Sequence, residues 1–240
     1  MRLMKPISAV PPGVRWALAA TLALQLLWHA AQPPRRPQAN GLPPAPPLAV
    51  LRVASLGEPL ALSKAMLLYL QAYDEQDGIS LSWNRLDYAH LETWLEAALA
   101  LDPRSQYPLL AASEVYGAAA DPARVRRMLD FVARHFAEDP RRRWPWMAHA
   151  ALVARHRLHD LPLARRYAQA LRRQAVDPAV PAWARELEVF VLEDMNELDS
   201  ARALIGGLLQ SGQITDPREL DFWARRLESM AARSQAPPLP

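Results

Sequence analysis

Cysteine is absent from the 240 residues of this chain, and glycine is scarce, with eight in all. Without cysteine the chain has no disulfide, no thiolate metal site, no cysteine nucleophile and no cysteine that could carry a lipid. The shortage of glycine, next to many alanine, leucine and arginine residues, favours helices over sheets. The composition therefore predicts an all-α protein, and it leaves the redox compartment open.

Acidic residues are missing from residues 1–56, which carry six lysine or arginine side chains. All 25 acidic residues lie in 57–231, together with 21 basic ones. A generic nucleic-acid-binding protein would have its basic excess in the folded domain. Because the excess here belongs to the N-terminal segment, we expect no nucleic acid among the partners.

Motifs of catalysis are also absent, since the chain has no HExxH, P-loop or GxGxxG sequence. His156, His159 and Asp160 are close in sequence, but a useful metal site needs three or four converging ligands and a second shell of support. We therefore predict a non-catalytic protein with no metal and no cofactor. An enzyme that uses this histidine cluster is the weaker alternative.

Asp-Pro pairs recur along the part of the chain that carries acidic residues. Asp102-Pro103, Asp139-Pro140, Asp177-Pro178 and Asp216-Pro217 follow one another at steps of 37, 38 and 39 residues. Aspartate caps helices, and proline ends one helix while fitting the first turn of the next. A step of about 38 residues matches one helix–turn–helix unit, so the spacing predicts a stacked array of helix pairs.

Apolar residues at helical spacing predict nine helices in this region. Their predicted ranges are 60–73, 86–101, 107–117, 122–137, 143–158, 161–175, 180–195, 198–209 and 217–230. Asp77-Gly78 predicts a turn. Gly206 and Gly207 lie inside a predicted helix, where each costs about 1 kcal/mol relative to alanine, and they predict the close approach of a neighbouring helix.

Small or apolar residues occur at steps of four and three, with a proline five residues later, at Leu91, Leu95, Ala98 and Pro103. Two later triplets keep the steps of four and three: Ala164, Ala168, Leu171 and Ala201, Ile205, Leu208. The prolines that follow them, Pro178 and Pro217, lie more than five residues after the triplet. Met128 and Val132 begin a further triplet, but its third position is occupied by His135. This spacing resembles the second helix of the tetratricopeptide repeat (TPR), while the Trp-Leu-Gly signature of the first helix is missing.

The chain is thus similar to a degenerate, TPR-like repeat over residues 60–230, and to uncharacterised single-span bacterial proteins with a TPR-like body. The resemblance implies an α-solenoid in which stacked neighbours complete the core. It also implies a concave groove that binds an extended peptide or a helix of a protein partner. The partner and the oligomeric state stay open.

Residues 14–31 form an apolar run with Trp16 and Trp28 near its two ends, where indoles favour a membrane interface. Cleavage after Ala30 or Ala31 would put Trp28 or His29 at the third position before the cut, which a signal peptidase disfavours. The run therefore predicts an uncleaved, single-span signal anchor through which the chain contacts the membrane. The alternative is an apolar helix that packs on the body.

The predicted organisation has five segments. They are a basic tail at 1–13, the transmembrane signal anchor at 14–31, a Pro-rich linker at 32–56, a TPR-like domain at 57–231 and a disordered Pro-rich tail at 232–240. Basic residues slightly favour an N-terminus inside the cell. We expect a single-pass protein of a bacterial inner membrane with the repeat domain in the periplasm.

Charge is banded along the predicted domain, with net −6 over 57–120, +8 over 121–175 and −6 over 176–231. The middle band contains the candidate partner-binding residues Arg141, Arg142, Arg143, Trp144, Trp146, His149, Arg155, His156 and Arg157. Arginine and tryptophan dominate the residues that contribute most to interfaces. In the alternative interpretation, the tryptophans pack a helix junction and the arginines neutralise the acidic bands on either side.

These features predict a membrane-anchored helical-repeat scaffold that mediates protein–protein interaction. The alternative is a binding module for an anionic polymer or a lipid headgroup, which would use the basic band at 121–175.

Overall fold

The computed structural model describes residues 11–31, 41–73, 75–76, 79–80, 86–212, 214 and 216–235. Residues 1–10 of the predicted basic tail, 32–40 of the linker, the Asp77-Gly78 turn and 236–240 of the predicted C-terminal tail lie outside the described residues. Residues 232–235 of that predicted disordered tail instead belong to a helix that ends at Gln235. Contacts divide the chain into two units. One comprises residues 1–40 and 77–79, and the other comprises residues 41–76 and 80–240.

The first unit contains a single described helix, α1, at Pro12–Ala31. All of its 20 residues are at the surface, including Trp16 and Trp28. Within the described residues, no single helix combines the length and the apolar character that a membrane span requires. Two consecutive helices, Leu48–Ala54 and Pro59–Ala72, are bent by 112° and meet the requirement only when taken together. Residues 14–31 are helical, and their role as a membrane span stays a prediction.

The described residues of the second unit contain ten α-helices, and the prediction of the all-α fold class is confirmed. They are α2 (Leu48–Ala54), α3 (Pro59–Ala72), α4 (Tyr88–Leu101), α5 (Tyr107–Leu110), α6 (Pro122–Phe136), α7 (Pro140–His156), α8 (Leu161–Gln174), α9 (Ala182–Asp194), α10 (Leu198–Gln210) and α11 (Pro217–Gln235). A π-helical turn at Ala111–Val115 and a 3-10 turn at Tyr116–Ala118 continue α5. Two-residue strands, Glu75–Gln76 and Ile79–Ser80, form a small sheet.

Aspartates position many of these helices by accepting hydrogen bonds from the first turn, as N-caps do. Asp87 caps α4, Asp121 caps α6, Asp139 caps α7 and Asp160 caps α8. Asp121 belongs to a further Asp-Pro pair, Asp121-Pro122, that the 38-residue spacing does not include. Asp102 and Asp177 instead accept from Arg104 and Ala179 in the turns that precede α5 and α9.

The segment that precedes α2 packs on the body, although the sequence predicts it as part of the linker. Leu42 is buried, and its carbonyl oxygen lies 2.7 Å from Nδ1 of His90. The Trp94 indole N–H donates to the carbonyl of Pro43 at 2.8 Å, and the Tyr73 hydroxyl donates to that of Gly41 at 2.7 Å. The second unit therefore begins inside the range 32–56.

Consecutive helices pack on one another, and α7 contacts α6, α8 and α9. The main hydrophobic core extends from Leu42 to Val191 and includes the buried faces of α3, α4, α6, α7 and α8. A separate, smaller cluster joins the end of α9 to α10 and α11; its buried members are Val189, Leu192, Ala201, Ile205, Ile214, Trp223 and Met230. The C-terminal helices thus depend on their own small core.

Polar contacts connect residues that lie about one predicted repeat apart. Arg143 donates to the carbonyl of Pro103 and Trp146 to the side chain of Gln106, each across 40 residues. Tyr167 donates to Asp130 across 37 residues. The residues that these contacts join are therefore separated by about the step of the Asp-Pro pairs.

Gly206 and Gly207 lie inside α10, and a Cβ atom added to either would meet no described atom within 4 Å. The predicted close approach of another helix therefore does not occur among the described residues. Gly117 behaves differently, because a Cβ there would lie 2.9 Å from the carbonyl oxygen of Ala112. It is in the turn after α5 that the chain requires a glycine.

Candidate partner-binding surface

Helix α7 positions eight of the nine candidate residues, and Arg157 follows directly after it. Asp139 starts the helix by accepting from the backbone N–H of Arg142. Residues at i, i+4 and i+7 share one face of a helix. Arg143, Met147 and Ala150 have this spacing and are all buried, so this face turns toward the core.

Arg143 is a structural residue, since it is only 1% exposed. Its guanidinium donates to the carbonyl oxygens of His135 and of Pro103 (2.8 Å) and to the Glu138 carboxylate at 2.6 Å. Burial raises the pKa of Glu138, but the hydrogen bonds from Arg143 and His135 outweigh it and lower that pKa below its ordinary value. Arg143 therefore connects α7 to the two turns before it and is not accessible to a partner.

Arg157 also binds the backbone of the protein itself. Its guanidinium donates to the carbonyl oxygens of Gly117, Ala118 (2.7 Å) and Ala119. These carbonyls belong to the 3-10 turn and the residue after it, where no helical partner is available. Arg157 thus closes the end of the irregular turn that precedes α6.

Three further arginines form ion pairs. Arg155 donates to Asp194 at 2.6 Å and lowers the pKa of that carboxyl, while Arg142 pairs with Asp139. Arg141 lies 3.2 Å from Asp177 and is 70% exposed. An exposed pair of this kind is worth at most about 1 kcal/mol, so the Arg141 guanidinium is available to another carboxylate.

The two candidate histidines differ in exposure, with His149 half-buried and His156 exposed on α7. Asp160, the nearest carboxylate in sequence to His156, caps α8 and pairs with Arg126. Among the described residues no group of three or more histidine and acidic side chains could hold a metal ion.

Most of the basic band is compensated by neighbouring acids. Ten of its thirteen arginines form an ion pair with a described carboxylate. Arg127 and Arg134 bind Glu92 in the preceding acidic band, and Arg165 binds Glu197 in the following one. Arg166 and Arg173 are exposed and form no ion pair with another described residue. The ion pairs of Arg127, Arg134 and Arg165 agree with the interpretation in which the arginines neutralise the flanking acidic bands.

Trp146 and Trp144 have different roles at the start of α7. The indole N–H of half-buried Trp146 donates to Gln106 at 2.9 Å and joins α7 to the residue before α5. Trp144 meets Trp183, at the start of α9, edge to face with ring centroids 5.6 Å apart. Edge-to-face rings at this distance stabilise each other by about 1 kcal/mol.

Arg141, Trp144, Val176 and Trp183 together form a surface that we call the tryptophan edge. Trp183 is 48% exposed and Val176, next to the Asp177 that pairs with Arg141, is 68% exposed. Val176 and Trp183 are absent from the candidate residues, because neither lies in a cluster of arginines and aromatics. A signal was present, however: Trp183 follows Trp144 by 39 residues, which is one step of the Asp-Pro spacing.

Comparison of the chain with family models, with curated proteins and with solved structures gives no match. The function is therefore inferred from the geometry of the surface itself.

Proposed function

We propose that this chain is a non-catalytic, membrane-anchored helical-repeat scaffold whose tryptophan edge binds a segment of a protein partner. The observation that carries the proposal is the pair Trp144–Trp183, half-open to solvent beside the exposed guanidinium of Arg141. By the same proposal the body is a TPR-like solenoid that faces the periplasm from a bacterial inner membrane.

Support for the repeat arrangement comes from the contacts between helix pairs. Helices pack on their sequence neighbours, and α7 also contacts α9, two positions further on. Hydrogen bonds that span 37 to 40 residues recur along α7 and α8. A protein built in this way presents an extended surface on which consecutive helices contribute equivalent positions.

The chemistry of the tryptophan edge defines the kind of partner. Tryptophan and arginine supply large contact area together with directional donors, which is why they dominate binding energy at interfaces. Val176 and Trp183 offer apolar surface, and Arg141 offers a 70% exposed guanidinium whose one ion pair to a described residue is with the half-buried Asp177. The matching partner is a segment with an apolar side chain next to a carboxylate.

The proposed anchor is α1. Twenty helical residues extend about 30 Å at 1.5 Å per residue, close to the thickness of the hydrocarbon core. None of its side chains is buried, and tryptophans lie near its two ends. Carbonate extraction of native membranes, combined with protease accessibility of a tagged body, tests this part; release of the chain into the soluble fraction would exclude the anchor.

The tryptophan edge is tested by photo-crosslinking in the native membrane. A benzoylphenylalanine at position 183 should trap a defined protein, whereas one at the exposed Ala120 should not. Arg141→Glu should abolish the crosslink, because it replaces the guanidinium with a charge that repels the partner's carboxylate. Arg173→Glu is the matched control, since Arg173 is exposed in the same band and has no ion pair to a described residue. Equal crosslinking from positions 183 and 120 would contradict the proposal.

A further inference from the structure

Exposed apolar side chains on the body concentrate where α2 meets α3. Val50, Val53, Leu56 and Leu60 lie within eleven consecutive residues and are all exposed, Val53 by 77% and Leu56 by 91%. We call these four residues the α2–α3 corner. Across residues 86–235, as far as the structure describes them, the exposed large apolar side chains are Val176, Trp183 and Phe222. The corner therefore contains four of the nine exposed large apolar side chains of the described body, and Leu68 and Tyr69 follow further along α3.

The backbone at Leu56 is strained, because its φ lies in the left-handed region. Leu56 has a φ of 50° and is followed by Gly57 at 91°, so both residues adopt left-handed conformations between the two helices. Leucine is disfavoured there, by roughly 1–2 kcal/mol relative to glycine, because its Cβ crowds the following carbonyl. A polar residue or glycine would form the same turn without strain and without exposed apolar surface. A strained and exposed leucine points to a contact outside the fold.

We propose that the α2–α3 corner inserts into the headgroup–acyl boundary of the same bilayer that holds α1. This inference rests on the proposed membrane anchor. The first residue of α2 follows the last residue of α1 by 17 positions, so an anchored α1 keeps the corner at a high effective concentration beside the bilayer.

The excess of basic residues near the corner favours a lipid surface as its binding partner. Residues 1–56 contain no acidic side chain, and within residues 41–73 Glu58 is the one acid, against Arg52 and Lys64. Basic residues beside an apolar surface match the anionic headgroups of a bacterial membrane. The two helices together have the apolar composition of a membrane segment.

The inner faces of the two helices show that the corner lies on the membrane and does not cross it. Leu51 of α2 and Met66, Leu67 and Leu70 of α3 are buried in the main core. These side chains cannot face lipid while the body is folded. Only the outer side, about one turn of each helix, is free to enter a bilayer to the shallow depth of roughly 5–10 Å that interfacial helices reach.

The absence of native cysteine makes a direct test simple. The full chain is reconstituted in vesicles of phosphatidylethanolamine and phosphatidylglycerol with a single environment-sensitive dye at Leu56→Cys, Val53→Cys or, as the control, Ala120→Cys. All three positions are exposed, so labelling leaves the core intact. Nitroxide-bearing lipids should quench the dye severalfold more at 56 and at 53 than at 120, and Leu56→Ser should reduce the quenching at 53.

The outcomes separate this inference from the anchor on which it rests. If the chain does not float with the vesicles, the anchor fails. If it floats and the dye at 56 is quenched no more than at 120, the corner does not meet the bilayer and the inference is overturned. If the dye becomes shielded without lipid, and more so at higher chain concentration, the corner contacts a second copy of this chain. Shielding that needs an added protein fraction would identify a protein partner.

Discussion

The guanidinium of Arg143 is buried and bound to two backbone carbonyls and a carboxylate, whereas that of Arg142, one residue earlier, is 43% exposed. Arg143 is in phase with Met147 and Ala150 on the buried face of α7, and Arg142 is not. Once the helix is placed, its phase alone distinguishes the two arginines. Composition cannot do so, because the run Arg141-Arg142-Arg143 is uniform.

Arg143→Ala should reduce the free energy of unfolding by about 3 kcal/mol, because it leaves buried carbonyl oxygens without donors. Arg142→Ala should cost less than about 1 kcal/mol, because it removes only an exposed ion pair. Urea denaturation followed by circular dichroism measures both. Equal losses in the two variants would show that Arg143 has no special structural role.

Glu186 on α9 is 5% exposed and lies beside Glu219 of α11. Burial, followed by the repulsion from Glu219, raises the pKa of Glu186 to about 7, and Arg185 opposes the rise. Arg172, which donates to Glu188 at 2.6 Å, lines the same cavity as Glu186. A proton held by Glu186 at neutral pH therefore contributes to the contact between α9 and α11.

The stability of the chain should fall as the pH rises through about 7. The folded protein holds the Glu186 proton more tightly than the unfolded chain, whose glutamate pKa is near 4.5. The resulting contribution is full below pH 4.5 and is lost above 7; at 1.36 kcal/mol per pKa unit it amounts to about 3 kcal/mol. Thermal unfolding between pH 5 and 8 measures this slope.

Glu186→Gln is the control, because it keeps the size and hydrogen bonding of the side chain without a titrating proton. The variant should lose most of the dependence between pH 5 and 8. Asp160 and Asp194 have lowered pKa values, so their contributions are lost only in acid, below this window. An unchanged slope in Glu186→Gln would assign the dependence to another group.

At the scale of helices, the sequence predicts most of the fold because its capping residues are local. Nine predicted ranges correspond to α3 through α11, and Asp121, Asp139 and Asp216 begin helices in the way that Asp-Pro chemistry indicates. Helix α2 was not predicted, since its seven residues follow a run of prolines and contain no acidic cap. The π-helical turn at Ala111–Val115 depends on packing against α6 and α7 and has no local signature.

The burial and the ion pairing of the candidate residues could be predicted less well than the helices, for a physical reason. Which arginines are buried, and which are paired with acids, depends on contacts between helices some 40 residues apart. The pair Trp144–Trp183 forms in the same way. Local enrichment in arginine and tryptophan indicated Trp144, but only the repeat spacing indicates Trp183.

Two glycine substitutions should have opposite effects. Gly207→Ala in α10 should stabilise the chain by about 0.5–1 kcal/mol, because alanine is the better helix former and its Cβ meets no described atom. Gly117→Ala should destabilise it by about 1–3 kcal/mol, because its Cβ would lie 2.9 Å from the Ala112 carbonyl oxygen. Denaturant titration of each variant provides the comparison, and a destabilised Gly207→Ala would mean that α10 has a close neighbour after all.

The second unit as a whole has two hydrophobic clusters of unequal size. The larger includes the buried faces of α6, α7 and α8, while the smaller joins the end of α9 to α10 and α11 through seven buried side chains. A cluster with few buried side chains opens more readily than a large one, so the helices of the smaller cluster should open before α6, α7 and α8.

Amides of α10 and α11 should exchange with deuterium at least about tenfold faster than those of α6 to α8, which corresponds to an opening free energy lower by about 1.4 kcal/mol. Mass spectrometry of peptides after timed labelling resolves the two groups. Trp223→Ala, which removes the largest side chain of the small cluster, should widen the difference. Uniform protection along the second unit would indicate a single cooperative core.

Contacts that span about 40 residues also have a consequence for synthesis. The bonds from Arg143 to Pro103 and from Trp146 to Gln106 each need only one further helix pair to have left the ribosome. At roughly 5–20 residues per second, a new pair emerges every few seconds. The helices that these contacts join can therefore begin to pack during translation, before α10 and α11 have left the ribosome.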